Sequence, residues 1–350
     1  MKIIFMSLLF LGLNVESKTF SVMTYNLENF FDTYHDKNKE DYTYLPLKIK
    51  KRSRIVKEYC EGLSNPFYRE NCLNFDWSNS VYLAKIKNMA KVIASYDSGK
   101  GADIVVLQEL ENKNALKDLI TKGLAKKGYR YISLIEGPDR RGIDVAIFAK
   151  HKIVSQKYHK VDISDYSSRP TRGILEANLN IGGKLVTVFA NHWPSQSNDD
   201  LTRLKAAETL LNVAKKKKKS NVVIATGDFN TVDDDEINGL TEHIIPNFYD
   251  VEVKGRKLSR YRKTLKGGSH FYKGNWGSLD KIFVYKRSGR FKVNYQDFNI
   301  LAHKYMLTDI EWEDRSTGDI TIYKDVPYRF DPKAKKGFSD HLPVVIKIQI

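Results

Sequence analysis

The sequence contains little cysteine and no long hydrophobic run. Its 350 residues include only two cysteines, which excludes a cysteine-rich metal centre. No apolar stretch reaches the length of about 18 residues that a membrane-spanning helix requires, and the mean hydropathy is −0.46. An integral membrane protein built on spanning helices is therefore excluded. Hydrophobic residues make up 41% of the chain and aromatic residues 12%, so a disordered or low-complexity chain is excluded as well.

Acidic residues are scarce relative to basic ones. The chain has 42 Asp and Glu residues against 58 Lys and Arg residues, which gives a net charge of +16 and an isoelectric point near 9.4. A charge of this sign favours polyanionic partners such as nucleic acid, anionic lipid or a phosphorylated substrate. A lysine-rich composition can also serve solubility alone, so the charge by itself does not select a partner.

The first seventeen residues have the pattern of a secretory signal peptide. Lys2 precedes an apolar stretch over residues 3–13, and Val15 and Ser17 are suitable small residues for cleavage after Ser17. A buried N-terminal strand is the weaker alternative, because residues 19–26 already have a strand pattern. We therefore expect an exported bacterial protein, either periplasmic or secreted.

Cys60 and Cys72 lie twelve residues apart in a stretch that contains Gly, Pro and Asn, as a loop would. In an oxidising compartment, a disulfide that closes such a short segment is favoured over two free thiols. No histidine or further cysteine accompanies them, which argues against a metal site. We predict a structural disulfide.

Strand and helix patterns alternate along the chain. Helical periodicity surrounds residues 82–93 and 207–214. Strand patterns occur at residues 19–26, 103–109, 143–149, 173–181, 184–192, 221–229, 279–285 and 341–350. Gly182-Gly183 joins two of these strands and is typical of a hairpin turn. Because no repeat or linker divides the chain, we predict one α/β domain over residues 18–350, with an insertion around residues 35–78.

Polar side chains cluster at the ends of the predicted strands. They are Asn26, Glu28, Glu109, Asn191, His192, Asp228, Asn230, Asp280, Asp340 and His341. If these strand ends converge, one rim of the fold carries several carboxylates that repel one another and raise one another's pKa. A divalent cation relieves that repulsion. Oxygen-rich ligands favour Mg²⁺, with Mn²⁺ or Ca²⁺ as alternatives, over zinc.

Seven short motifs follow one another in an order that is known from one superfamily. They are TYNLEN (24–29), VLQEL (106–110), RGIDVAI (141–147), NHWPSQ (191–196), GDFN (227–230), SLDKIFV (278–284) and SDHLPV (339–344). Together they resemble the motifs of the endonuclease/exonuclease/phosphatase superfamily, which has the DNase I-like fold, and in particular its bacterial exported members. The resemblance extends from about residue 19 to the C-terminus. It implies a four-layer αββα sandwich of two mixed β-sheets, with the active site at one rim.

The resemblance also implies which residues hold a metal ion. Glu109 resembles the principal Mg²⁺ ligand, and Asn26 lies beside it in the family pattern. Glu28 is at a position where some members have a second metal carboxylate and others have no acid. Asp340 is placed to reach the same ion. An acidic side chain that closes a buried strand, as Glu109 does, is otherwise costly.

The remaining motif residues are implied to act on the phosphate. Asp228 resembles the group that orients or deprotonates the attacking water, and Asn230 would hold a phosphate oxygen or the nucleophile. His341 would donate to the scissile phosphate or protonate the leaving oxygen, and His192 has a related part in nuclease members. Asp280 would fix the tautomer of an imidazole and raise its pKa. In-line hydrolysis, with metal ion and donors stabilising the developing charge, is the implied reaction.

Four further residues are candidates for substrate contact. Arg172 either directs its planar guanidinium at a phosphate or pairs with a carboxylate. Asn191 lies at the end of the predicted strand 184–192, where the motif NHWPSQ begins. Trp193 and Trp276 would form apolar walls of the cleft, although core packing is the simpler account of at least one of them.

Two basic stretches favour nucleic acid as the substrate. Residues 254–266 hold seven basic residues and no acid, including Arg260 and Arg262, and residues 48–57 form a second stretch. The first stretch lies between GDFN and SLDKIFV, so we expect it to emerge near the rim and to bind successive phosphates. Ordinary solvated surface is the alternative.

The fold hosts several activities, so the substrate class needs separate arguments. The inositol-polyphosphate phosphatase class is disfavoured, because its W-x-G-D-x-N and C-D-R forms are absent. A sphingomyelinase-like enzyme would carry an exposed apolar hairpin, for which residues 271–277 are a weak candidate. We therefore predict an exported, divalent-metal-dependent phosphodiesterase, a nuclease of low sequence specificity on DNA or RNA that acts as a monomer without a stable protein partner. The alternatives are a lipid phosphodiesterase, a phosphatase, or a catalytically inactive binding protein.

Overall fold

The computed structural model describes residues 17–219, 221–313 and 317–350. Apart from Ser17, the predicted signal peptide lies outside these residues. The strands are β1 (Thr19–Phe30), β2 (Ile104–Leu110), β3 (Tyr131–Ser133), β4 (Asp144–Ala149), β5 (Lys152–His159), β6 (Ile174–Ile181), β7 (Lys184–His192), β8 (Val222–Asp228), β9 (Phe248–Asp250), β10 (His270–Tyr272), β11 (Asn275–Gly277), β12 (Asp280–Tyr285), β13 (Lys292–Ile300), β14 (Leu307–Glu313), β15 (Ile320–Pro327) and β16 (Val344–Gln349). The helices are α1 (Leu47–Arg52), α2 (Arg54–Glu61), α3 (Pro66–Asn74), α4 (Asn79–Ser95), α5 (Lys113–Asp118), α6 (Asp200–Lys215) and α7 (Val251–Leu258).

Twelve of the strands form two six-stranded mixed sheets. The first has the order β13-β16-β1-β2-β4-β3, and the second has the order β5-β6-β7-β8-β12-β9. The pairs β1–β2 and β7–β8 are parallel, and the other pairs within these two sheets are antiparallel. Two mixed sheets with flanking helices confirm the predicted α/β class and the DNase I-like architecture.

The alternation of side chains along β8 accounts for the layering of the second sheet. Val222 and Ile224 join the large core that both sheets share. Val223 and Ala225 lie on the opposite face, where they pack with Leu210 of α6 in a second core cluster. Because successive side chains of a strand point to opposite faces, an uninterrupted apolar run such as that of β8 is what a strand covered on both sides requires.

Most predicted strands agree with the structure, but the last one begins later than expected. The predicted strand started at His341, whereas β16 begins at Val344. Pro343 has no N–H for a ladder hydrogen bond, and its carbonyl instead accepts a hydrogen bond from Leu301 N. The turn at Gly182-Gly183 is confirmed, since both residues have positive φ, 58° and 84°.

The segment around the two cysteines is helical, so the loop expected there is wrong. Cys60 lies in α2 and Cys72 in α3, and their predicted disulfide is present with a Cα–Cα distance of 5.4 Å. The Asn65 side chain accepts hydrogen bonds from the N–H groups of Phe67 and Tyr68, and Pro66 occupies the first turn of α3. An Asn cap followed by Pro favours a helix start, and this local signal outweighs the loop-like composition.

The two remaining strand pairs, β10–β11 and β14–β15, form separate hairpins. The β10–β11 hairpin contains the predicted weak candidate for an apolar hairpin, residues 271–277. In the part of the chain that the structure describes, no helix has the length and apolar character needed to cross a membrane.

The disulfide leads to a stability prediction. We expect the Cys60→Ser/Cys72→Ser variant to lose about 2–4 kcal/mol of unfolding free energy, because the cross-link restricts the unfolded chain. Denaturant titration with and without a reducing agent measures the loss. The wild-type protein should lose the same amount on reduction and the variant should not respond. A wild-type protein that is insensitive to complete reduction would contradict the structural role.

Candidate active site

Five strand ends bring polar side chains to one rim of the sandwich. Asn26, Glu109, His192 and Asp228 lie at the C-terminal ends of β1, β2, β7 and β8, and Asp280 begins β12. In the ladders of the second sheet, Asp228 is directly paired with His192 on one side and with Asp280 on the other. The sheet itself therefore assembles the predicted cluster from distant parts of the sequence.

The backbone at the rim departs from regular strand geometry. Glu28, Asn29 and Glu109 have φ values of 52°, 57° and 58°, and Asn230 has a φ of 47°. The register of β1 against β2 shifts between Asn26 and Phe30. Such left-handed conformations in non-glycine residues cost of the order of 1–3 kcal/mol each and concentrate at functional sites. Here they turn the Glu109 side chain toward the end of β1.

Asn26 connects the two carboxylates that end β2 and β8. Its Nδ2 donates to Asp228 Oδ2 at 3.0 Å and lies 3.5 Å from Glu109 Oε1. The other Glu109 oxygen accepts a hydrogen bond from Asn29 N at 2.9 Å. His192 Nε2 lies 3.9 Å from Glu109 Oε1 and 3.8 Å from Asp228 Oδ2. Among the described residues, the contacts to Glu109 Oε1 are therefore long ones.

Asp228 is, with Asp280, one of the two almost fully buried carboxylates of the rim. Burial raises its pKa to about 7, while the charge of His341 acts to lower it. Its Oδ1 accepts a hydrogen bond from Asn230 N at 2.9 Å, and the Asn230 side chain donates to Trp193 O at 3.1 Å. A carboxyl group with a pKa near neutrality is suited to exchange a proton at physiological pH.

His341 is joined to Asp280 by a short hydrogen bond. The distance from His341 Nδ1 to Asp280 Oδ2 is 2.6 Å, and the same oxygen accepts from Ser269 Oγ at 2.7 Å. Burial disfavours the imidazolium, but the carboxylates of Asp280, Asp340 and Asp228 outweigh it and raise the pKa of His341 well above its usual range. His341 Nε2, 4.0 Å from Asp228 Oδ2, is left to face the cluster.

His192 has the opposite electrostatic setting. Burial, together with the charges of Arg172 and Arg141, lowers the pKa of His192 well below its usual range. Its Nδ1 is buried and has no hydrogen-bond partner among the residues that the structure describes. The two histidines of the rim are thus distinct, since one favours the imidazolium and the other the neutral ring.

The structure adds His270, which the sequence analysis missed. Its ring centroid lies 4.6 Å from that of His341, and the two residues form an isolated β-bridge. Burial and the charge of His341 lower the pKa of His270 to about 4. Neither this residue nor Ser269 belongs to a motif in the sequence. The one feature that could have indicated them is their position shortly before the motif SLDKIFV.

Glu28 does not face the metal cluster as the resemblance implied. Its carboxylate accepts hydrogen bonds from Arg329 Nε at 2.7 Å and from Asp340 N at 3.1 Å. Burial and the neighbouring Asp340 raise the pKa of Glu28 to about 7. The left-handed backbone at Glu28 directs this side chain toward the loop before β16. Lys85, also missed, donates to Glu28 O and Phe338 O and supports the same loop.

Asn191 faces away from the cluster, so the structure does not bring it together with the other predicted site residues. Strand alternation places it opposite to His192, and its side chain bonds to Phe189 O, Thr226 O and Trp193 Nε1. β7 and β8 approach closely here. A Cβ atom on Gly227, whose φ is +140°, would lie 2.0 Å from Asn191 O. The glycine of GDFN is therefore required by packing.

Of the roles that the sequence left open, the structure shows pairing with a carboxylate for Arg172 and core packing for Trp193. The Arg172 guanidinium donates to Asp139 Oδ2 at 3.0 Å and to Trp193 O at 2.8 Å, and both ends of this ion pair are buried. Trp193 is buried against Phe229. Arg172 Nε is buried without a hydrogen-bond partner among the described residues.

The basic stretch after α7 is not placed as expected. The Arg260 guanidinium pairs with Asp297 of β13, and Arg262 is exposed. Neither has a described contact with the polar cluster at the rim, because α7 takes up the beginning of the stretch and Arg260 is paired with β13. Trp276 packs edge-on against Phe271 within the β10–β11 hairpin, at a centroid distance of 5.3 Å, and against the core.

The donor set at the rim fits a divalent cation. Two groups have ligand atoms within 4.8 Å of one another: His270, Asp340 and His341; and Asp228, Asp280 and His341. Glu109 adds an oxygen with only long contacts. Burial raises the pKa of Asp228 to about 7, a bound cation would favour its ionised form, and carboxylate oxygens are the ligands of hard cations.

The comparisons with known proteins agree with this architecture. A model described as "Endonuclease/Exonuclease/phosphatase family" matches residues 68–350. The solved structures that resemble the chain include the mannosyl-6-phosphatase Bt3783 of Bacteroides thetaiotaomicron, with a TM-score of 0.54, 15% identity, and coverage of 94% of this chain and 99% of that one. SmcL has a TM-score of 0.52 and 17% identity, with 95% and 99% covered. A truncated Caenorhabditis elegans TDP2 has a TM-score of 0.52 and 13% identity, with 95% and 98% covered.

At this level of identity, the solved structures establish the fold and do not select a substrate. A comparison with curated proteins gave no match. The family match begins after TYNLEN, yet β1, which carries that motif, lies between β16 and β2 in the first sheet.

The enclosure of Asp228 leads to a prediction about stability and pH. An Asp has a pKa of about 3.9 when unfolded, and the folded value near 7 means that the native state binds more protons between about pH 4 and pH 7. The metal-free protein should therefore lose stability, on the order of a few kcal/mol, as the pH rises through this window.

Denaturant titrations in EDTA across this window test the prediction. Asp228→Asn should lose this part of the pH dependence, and the control Asp162→Asn, at a fully exposed position, should keep it. An equal pH dependence in wild type and Asp228→Asn would contradict the raised pKa.

Proposed function

Because the chain belongs to the endonuclease/exonuclease/phosphatase family, we propose that the rim is the active site of a divalent-metal-dependent phosphoesterase whose substrates are the phosphodiester bonds of nucleic acid. The single observation that carries this proposal is the convergence of Glu109, Asp228 and the Asp280–His341 pair at one rim. These residues supply, in one place, an anionic cation site, a carboxyl group that titrates near neutrality and a cationic donor.

Glu109, with Asn26 beside it, and Asp340 are the residues that would hold the cation, and Mg²⁺ is the ion that we expect, with Mn²⁺ or Ca²⁺ as alternatives. The bound ion would neutralise charge on a phosphate oxygen. Asn26 already spans the carboxylates of Glu109 and Asp228. Glu28 is excluded from this group, because Arg329 and the loop before β16 occupy its carboxylate.

Asp228 is proposed to orient the attacking water and accept its proton. Its pKa near 7 places it where a general base is most effective at physiological pH. Asn230 N fixes the rotation of the carboxylate through its bond to Oδ1, so that Oδ2 faces the cluster. The neutral His192 lies 3.8 Å from that oxygen and would contact the phosphate without adding charge.

His341 is proposed to donate a hydrogen bond or a proton to the phosphate or the leaving oxygen. Asp280 holds Nδ1, which leaves Nε2 for the substrate. Ser269 fixes Asp280 in turn. The carboxylates around the ring favour the imidazolium, which is the form that can act as a donor.

Nucleic acid is the proposed substrate because the protein carries a large net positive charge. The net charge of +16 favours binding of a polyanion, and six basic side chains line a cleft that begins at the rim. The resemblance to the sphingomyelinase C of Streptomyces griseocarneus raises the alternative of a lipid substrate, and the resemblance to the mannosyl-6-phosphatase Bt3783 raises that of a phosphomonoester. The exposed β14–β15 hairpin is relevant to the alternative of a lipid substrate.

The β14–β15 hairpin is poorly suited to enter a lipid bilayer. Ile320 and Ile322 are 67% and 58% exposed, which the sequence analysis did not anticipate. However, they are paired across the ladder with Glu313 and Glu311, so that carboxylates stand beside the apolar side chains on the same face. Burying these carboxylates in lipid is costly, and this disfavours a lipid phosphodiesterase.

We also propose that residues 18–350 act as one catalytic unit, with an insertion around residues 35–78, and that the protein acts as a monomer after export. The Cys60–Cys72 disulfide supports an oxidising compartment.

Degradation of supercoiled plasmid tests the proposed activity. We expect nicking by the purified protein with Mg²⁺, none with EDTA, and a loss of about 10²–10⁴-fold in Asp228→Asn, because the water loses its base. The control Asp162→Asn should retain full activity. Folded protein that leaves plasmid and RNA intact with Mg²⁺ and Mn²⁺, but hydrolyses sphingomyelin or a sugar phosphate, would refute the nuclease proposal.

The role of Asp280 leads to a second prediction, on the pH dependence of the rate. Asp280→Asn removes the charge that raises the His341 pKa, so the imidazolium should be lost at lower pH. The alkaline limb of the rate profile on bis(para-nitrophenyl) phosphate should therefore move to lower pH. Ser269→Ala, which leaves the Asp280 charge in place, should shift it less. Equal profiles in wild type and Asp280→Asn would contradict the proposed donor.

A further inference from the structure

A cleft of about 940 Å³ extends from the rim to the helical segment 42–74, which comprises a 3₁₀ turn and α1–α3. Glu28 and Asn29 line the end nearest the rim, and Asn29 N is the donor that holds Glu109 Oε2. Through Asn29, the cleft therefore borders the proposed metal site. The volume is near the upper end of the range for ligand pockets, about 300–1,000 Å³.

One part of the cleft lining is aromatic. Phe67 and Tyr68 of α3 are 69% and 61% exposed, with ring centroids 5.7 Å apart, and Tyr44 and Phe75 contribute further rings. A single exposed aromatic residue is ordinary. Two neighbouring exposed rings at the entrance of a cleft supply flat apolar faces on which a planar ligand can stack.

A further part of the lining is basic. Six basic side chains line the cleft against three acidic ones. Arg169 and Arg329 are paired with Glu40 and Glu28. Arg140 and Arg141 are exposed on the loop before β4, and Arg141 Nε lies 3.6 Å from Asp139 Oδ1. The surplus of guanidinium groups fits a ligand that carries several phosphates.

Two buried polar groups on the lining also lack partners. Thr171 and Arg172 line the cleft and are only 5% and 6% exposed. Thr171 Oγ1 and Arg172 Nε have no hydrogen-bond partner among the residues that the structure describes. Buried polar atoms are seldom left unpaired. We therefore expect a bound ligand to supply the hydrogen-bond acceptor for these two atoms.

We propose that the cleft binds a single-stranded segment of nucleic acid next to the scissile phosphate, with bases stacked on Phe67 and Tyr68 and phosphates held by Arg140 and Arg141. This inference rests on the proposed nuclease function and deepens it. Bases in a duplex have both faces covered by their neighbours, whereas unpaired bases can stack on aromatic side chains. The enzyme should accordingly favour single-stranded or locally unpaired substrates.

The Cys60–Cys72 disulfide stabilises α3, the helix that carries the proposed stacking residues. Cys72 lies on α3, which also carries Phe67 and Tyr68, and it ties that helix to α2. Helices of eight and nine residues are marginal without such tertiary support. The cross-link therefore fixes the aromatic part of the lining in place before a ligand binds, which lowers the ordering cost of binding.

Fluorescence anisotropy of a labelled oligothymidylate measures the proposed binding without turnover. The probe is titrated with the Asp228→Asn protein in Mg²⁺. Phe67→Ala and Tyr68→Ala should each weaken binding by about tenfold, because one stacking face is lost. Phe67→Trp should restore affinity. The control Tyr34→Ala, at a position that is 75% exposed and does not line the cleft, should bind like the parent.

Arg140→Ala in the same background should weaken binding of the oligothymidylate and reduce the dependence of log Kd on log salt by about one. The control Arg290→Ala, exposed and outside the cleft, should leave this slope unchanged. A hairpin duplex of equal charge should bind more weakly than the single strand and should be insensitive to Phe67→Ala.

The outcomes separate this inference from the nuclease proposal. If the wild-type enzyme cleaves nucleic acid but Phe67→Ala, Tyr68→Ala and Arg140→Ala all bind the single strand like the parent, the cleft assignment is overturned and the function stands. Tighter binding of the duplex than of the single strand would overturn it as well. If the single strand binds in the cleft but no nucleic acid is cleaved, the nuclease proposal fails. Loss of binding to sphingomyelin vesicles in the same variants, without binding of the oligonucleotide, would overturn both.

Discussion

Asp228 and Asp280 face each other across the ladder of β8 and β12, and the rim depends on how these two buried negative charges are balanced. His341 bonds to Asp280 and faces Asp228, while Asn26 donates to Asp228. Uncompensated charges of one sign would unfold the rim or force protonation. Burial raises the pKa of Asp228 to about 7, which fits the roles in cation binding and proton transfer that are proposed for the rim.

A second layer of charges fixes the loop that delivers His341. Glu28 accepts hydrogen bonds from Arg329 and from Asp340 N, and the buried Lys85 ties Glu28 O to Phe338 O. These groups set the position of the loop before β16, and the left-handed backbone of Glu28 is the local cost of that arrangement.

The sequence was sufficient to predict the strands and the residues that end them, because a buried strand closed by a carboxylate, as at Glu109 and Asp228, is a local signal. It was not sufficient for His270, whose role comes from a bridge to a residue far along the chain. The run of basic residues around Arg260 suggested a phosphate-binding surface, but a charge count does not reveal a local partner such as Asp297. Asn191 failed for a simpler reason: residues adjacent on a strand face opposite sides, and only His192 faces the rim.

A divalent cation is proposed to bind at the rim with Glu109 among its ligands, close to Asn26 and His192. Anomalous diffraction from a crystal soaked in Mn²⁺ tests it most directly, because it locates the ion independently of any activity. The account predicts a peak within bonding distance of a Glu109 oxygen, which Glu109→Gln weakens or removes while leaving the fold intact. A well-ordered rim with no ion at Glu109, or an ion bound only elsewhere on the protein, would contradict it.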